Sequence, residues 1–90
     1  MPARYAADTP ESRIAAPLDE LTAIFHRPSG ATHLLASPAP ELLEALAEGP
    51  ADAAELLARL SGRYEMPDAT PEGLAARLDE LVATGLAWRV

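Results

Sequence analysis

The chain has 90 residues, no cysteine and a formal net charge of −7, and all seven of its basic residues are arginine. A chain this short holds one modest core and little room for an enclosed substrate cavity, and without cysteine it can build neither a disulfide framework nor a thiolate metal site. So acidic a surface repels a phosphate backbone unless a basic patch offsets it, and the arginines at 4, 13, 27, 59, 63, 77 and 89 are scattered among acids.

The opening residues, "MPARYAADTPESR", contain no apolar run that could serve as a secretory core or a membrane span. The expectation is a cytoplasmic protein with neither a membrane nor a nucleic-acid partner. Residues 1–12 read as an irregular segment in which "RYAA" is the only candidate strand. "RIAAP" (13–17), "LTAIFHR" (21–27) and "ATHLLA" (31–36) then read as three short strands, joined through "LDE" and "PSG".

From Ser37 the apolar period becomes helical. In "SPAPELLEALAEG", Ser37 is a candidate N-cap, Pro38 occupies the tolerated first position, Leu42, Leu43 and Leu46 share a face, and Gly49 is a stop. In "DAAELLARLSGRY", Asp52 and Glu55 have capping-box spacing, with Leu56, Leu57, Leu60 and Tyr64 recurring behind them. "TPEGLAARLDELVATG" repeats the grammar: Thr70 caps, Pro71 follows, Leu74, Leu78, Leu81 and Val82 turn inward, and Gly85 ends the helix. The tail "LAWRV" (86–90) alternates like a final strand. The reading is one α+β domain: a β-sheet part over 13–36, a three-helix part over 37–85 and a short tail, laid out like a winged helix.

The two histidines flank a hairpin tip, "HRPSGATH". Pro28, Ser29 and Gly30 suit a three-residue loop, which would set Phe25 opposite His33 and His26 opposite Thr32. A two-residue turn at Ser29-Gly30 would instead face His26 with His33. Two imidazoles with no third histidine or cysteine make a poor metal site, and no nucleophile, orienting carboxylate or pocket is identifiable beside them. No metal, no cofactor and no catalysis are expected.

"FHRPSGATHLL", "LAEGPADAAELLARL" and "LDELVATGL" together resemble the PqqD-like peptide chaperones, the leader-peptide recognition elements. The likeness is narrower to the subgroup associated with HPr kinase-related proteins, whose hairpin pattern falls on Ser29, Gly30, Thr32, His33 and Leu35; the wider family pattern falls on Leu35, Gly49, Asp52, Glu55 and Leu56. The resemblance spans about residues 13–86. Ala36 and Asp52 depart from the residue types usual there, and the first two strands lack tryptophan.

This resemblance implies a non-enzymatic module that captures the leader of a ribosomally made precursor peptide and presents it to a modifying enzyme, an HPr kinase-related protein being the candidate. The leader would add as a strand to Ala31, Thr32, His33, Leu34, Leu35 and Ala36. The third helix would wall the groove with Leu74, Arg77, Leu78 and Leu81, and Arg77 would engage a leader carboxylate or pair with Glu72 or Glu80. Trp88 and the tail are a rival occupant of that edge. A general adaptor without a leader is the alternative reading. A DNA-binding regulator fits less well, since the third helix carries Glu72, Asp79 and Glu80 against one arginine.

Overall fold

The computed structural model describes residues 3–90 and has the α+β class read from the sequence. Its strands are β1 (Arg4–Ala7), β2 (Arg13–Leu18), β3 (Leu21–His26), β4 (Ala31–Ala36), β5 (Ala51–Asp52) and β6 (Ala87–Arg89). The helices are α1 (Ala39–Leu46), α2 (Ala53–Ser61) and α3 (Pro71–Thr84), and Pro10–Ser12 form a 3-10 turn before β2. The described strands make two three-stranded antiparallel sheets, β5-β1-β6 and β2-β3-β4, where one small sheet was expected. The finer winged-helix likeness does not follow from this layout.

The N-terminal segment differs from the irregular one expected. "RYAA" is not a fringe strand but the centre of the first sheet: Tyr5 faces Ala51 on one side and Arg89 on the other, and Ala6 faces Trp88. Tyr5 is buried among the helical leucines, yet its phenol needs a partner. It finds one by donating to Asp79 Oδ1 on α3 at 3.0 Å, and the same oxygen accepts from Arg89 Nη2 at 2.6 Å. One carboxylate thus ties α3 to β1 and β6. The Arg89 guanidinium, then the Tyr5 hydroxyl, hold Asp79 below the usual carboxylate range, while burial and Asp79 push the Tyr5 phenol up.

The helices pack as their stripes suggest. Leu42, Leu43 and Leu46 of α1, Leu56 and Leu60 of α2, and Leu74, Leu78 and Leu81 of α3 all enter one core with Leu86. Asp52 and Glu55 form the reciprocal capping box, Thr70 accepts from Gly73 N–H, and Gly85 ends α3 in the left-handed region at φ 83°. At α1 the sequence reading needs correction. Ser37 does not cap it; its hydroxyl bonds to Glu41, and Pro38 is the N-cap without a side-chain bond. Nor does Gly49 end it: the helix stops at Leu46, and Arg59 from α2 reaches the carbonyls of Ala45 and Gly49 at 3.1 and 2.9 Å, supplying donors there. Helix α2 stops at Ser61, so Tyr64 lies beyond it and is exposed.

In the second sheet β2 and β4 are both edges around β3. Arg13 anchors the sheet to the rest of the domain, donating to Asp8 C=O at 2.9 Å and to Leu43 C=O on α1 at 3.1 Å. The β3–β4 hairpin follows neither register considered from sequence: His26 faces Ala31, Phe25 faces Thr32 and Ile24 faces His33. The loop therefore has four residues, Arg27 to Gly30, and closes through Gly30 N–H to His26 C=O at 2.8 Å. Arg27 leaves the ladder because its own N–H is taken by Ser12 C=O, also at 2.8 Å.

Gly30 does adopt positive φ, at 72°, with open space around a notional Cβ. Replacement is thus penalised by backbone strain alone, and Gly30→Val should cost roughly 1–2 kcal/mol in urea unfolding while Gly30→Asn costs clearly less. For Asp79 the folded pKa is depressed, so its contribution is present above the ordinary carboxylate pKa of about 4 and is lost as pH falls through the folded value. Asp79→Asn should lower the urea midpoint near neutrality and flatten its decline in acid; an unchanged acid limb would contradict the linkage.

Candidate functional site

Strand β4 is an edge along its whole length, so alternate residues from Ala31 to Ala36 turn backbone N–H and C=O groups away from β3. Thr32, Leu34 and Ala36 are exposed, whereas Ala31, His33 and Leu35 are half-buried and Leu35 packs on the core. The rival occupant is elsewhere: β6, carrying Trp88, pairs with β1 in the other sheet.

The expected groove wall is a different matter. Leu74, Leu78 and Leu81 are at most 2% exposed and pack into the core, so Leu78 and Leu81 present nothing to a ligand and Leu74 little more than its edge. Helix α3 packs chiefly on α2, α1 and β6, while β4 lies against α1. Arg77 is exposed, and its guanidinium already pairs with Glu80 at 3.2 Å.

What α3 does meet is the chain that follows β4. Beyond Ala36, the segment from Ser37 to Glu41 faces the N-terminal half of α3 across an open cavity of about 790 Å³, bordered by the α2–α3 loop. Its apolar wall includes Pro38, Met66 and Leu74; its charged residues are Glu41, Glu65, Asp68 and Arg77. Of the residues expected at the site, Leu74 and Arg77 line this cavity and the β4 residues do not. Three acids against one arginine make the rim negative. Tyr64, also at the rim, has its phenol pushed up chiefly by the Glu44 carboxylate outside the cavity, to which it donates at 3.4 Å. Residues 65–69, "EMPDA", lie between two helical stripes and carry no periodic signal of their own; their methionine and acids were the available signal for this wall.

The histidines do not form a pair. His26 is buried, its Nε2 lies 2.9 Å from Asp8 Oδ2 and its Nδ1 lies 2.9 Å from Ser29 Oγ. Asp8 is the orienting carboxylate that sequence reading lacked, and these residue types serve nucleophilic catalysis elsewhere. Here Ser29 Oγ also accepts from Ala31 N–H at 3.2 Å, as part of the loop's own bonding, and the large cavity lies elsewhere. The arrangement fastens the hairpin tip to the chain after β1. Among the described residues, no three His, Asp or Glu side chains converge on a point able to hold a metal.

Comparison with family models, curated proteins and solved structures yields no match to this chain. With His26 engaged on both nitrogens and His33 opposite Ile24, zinc should bind no more tightly to the wild type than to the His26→Ala, His33→Ala double variant. A stoichiometric difference in calorimetry would contradict this.

Proposed function

We propose that this domain is a non-catalytic peptide-binding module, which takes an extended peptide as a fourth strand along β4 and one of its side chains into the adjoining cavity. The observation that carries the reading is the continuity between the two: an uncovered six-residue edge ends at Ala36, and the cavity wall begins at Ser37. Backbone pairing alone is marginal. About three outward-facing residues could form up to roughly six hydrogen bonds at a net 0.5–1.5 kcal/mol each, against an association cost of roughly 4–15 kcal/mol. A buried Leu-sized side chain contributes about 1.5–3 kcal/mol more, so the cavity decides whether binding is measurable.

Charge decides the preferred sequence. An acidic leader gripped by Arg77 is disfavoured, because Arg77 is paired with Glu80 and three carboxylates share its rim. The module should prefer lysine or arginine flanking an apolar residue. The resemblance across residues 13–86 supports taking the peptide to be the leader of a ribosomally made precursor, and the partner to be its modifying enzyme, of the HPr kinase-related kind. Such a precursor meets its enzyme where it is made, which places the module in the cytoplasm. No described helix is long and apolar enough to cross a membrane.

The test uses two synthetic extended peptides, one alternating leucine with lysine and one alternating leucine with glutamate. Binding of the first should be the tighter, and should weaken with Glu65→Lys, Asp68→Lys. A proline scan over Thr32 to Leu35 should alternate: at one parity the fold is lost, at the other it survives and binding is abolished. Binding that survives proline at every folded position would remove β4 from the site.

A further inference from the structure

The second sheet turns polar residues inward beside its core contacts, Ile24 and Leu35, and an apolar face outward. Directly opposed residues share a face, so the register places Arg13, Thr22, His26 and His33 on the inner face. The outer face carries Ile14, Ala16 and Leu18 from β2, Leu21, Ala23 and Phe25 from β3, and Thr32, Leu34 and Ala36 from β4. No ionisable residue is among these nine. Leu34 is 61% exposed, Leu18 53% and Ile14 50%. A contiguous apolar sheet face of this kind on an otherwise acidic chain marks an interaction surface.

The side-chain sizes indicate its partner. Along β2 the face runs large, small, large (Ile14, Ala16, Leu18), and along β4 it runs small, large, small (Thr32, Leu34, Ala36), in matching rows across β3. We infer that this face binds a second copy of the same chain, the two sheets stacked face to face about a two-fold axis along β3. That rotation lays β4 of one copy over β2 of the other, row on row. Leu34 then enters the space above the partner copy's Ala16, Ile14 sits over Thr32 and Leu18 over Ala36. Phe25 and Leu21 meet their own counterparts on the axis, in an isologous, aligned sheet packing.

A two-fold axis across the strands is the competing arrangement. It would bring Arg27 near the other copy's Asp19 and Glu20, but it sets Leu34 on Leu34 and Ile14 on Leu18. Exposed charges at turn tips are screened and weak, so side-chain fit decides. With six-residue strands the face measures roughly 20 by 14 Å. That is well short of the roughly 800 Å² per partner of a standard interface, so the dimer should dissociate on dilution. Stacking the faces leaves the β4 edge open, and the inference does not rest on the peptide reading.

Sedimentation across a concentration series, with the full chain, tests it. The wild type should rise from the mass of one copy towards two, and Phe25→Glu should hold it at one. Ala16→Leu sets leucine against leucine twice and should weaken association roughly tenfold or more. Adding Leu34→Ala to Ala16→Leu exchanges knob and hole, and should restore it to within a few-fold of the wild type. Each position is on the outer face, so thermal melts should stay near the wild type; Leu34→Lys substitutes for any variant that fails this control. A wild type that stays at one copy up to millimolar concentration overturns the inference. So does an Ala16→Leu variant that associates as well or better, or association lost with proline in β4 but retained in Phe25→Glu.

Discussion

β1 accepts β5 on one edge and β6 on the other, which gives the C-terminal strand a sheet separate from β4. Tyr5, buried with its hydroxyl on Asp79, holds β1 in that central place against α3. The Asp79 carboxylate, shared by Tyr5 and Arg89, closes the N-terminal and C-terminal ends of the chain around α3. This places Trp88 on the side of the domain that belongs to the first sheet.

The second sheet is held more lightly. Arg13 bonds to Leu43 C=O, His26 bridges Asp8 and Ser29, and Ile24 and Leu35 supply its apolar contact with the core. That leaves it three surfaces: the β2 edge, the β4 edge and the outer face. Their chemistry differs. The β4 edge offers backbone groups and leads into an acid-rimmed cavity, while the outer face offers only side chains without charge. The proposed peptide strand and the inferred second sheet would therefore not compete for the same surface.

Much of the helical half was legible because its signals are local. Thr70, Pro71 and Gly85 bracket α3, and Asp52 with Glu55 starts α2, since caps depend on residues within one turn. β4 could be bounded for the same reason, between Gly30 and Ser37. What escaped the reading depends on distant partners. Nothing near "RYAA" announces that Ala51 and Ala87 will flank it. The hairpin register was set by Arg27 N–H bonding to Ser12 C=O, outside the hairpin itself. Leu74, Leu78 and Leu81 were legible as a stripe; Leu78 and Leu81 are spent on the core, and only Leu74 also reaches a cavity wall. β2 and β3 were legible as strands, but a period of two does not say which face looks outward, and in these alanine-rich strands both faces carry apolar residues.

Backbone amide exchange along Ala31 to Ala36 reads directly whether β4 is an uncovered edge that an extended peptide would complete, as proposed. In dilute free protein the six amides should alternate, those paired with β3 exchanging slowly and the outward set rapidly; the alternating leucine-lysine peptide should then slow the outward set. Uniform protection in the free protein would contradict the account, as would an outward set unchanged by saturating peptide while β2 amides slow.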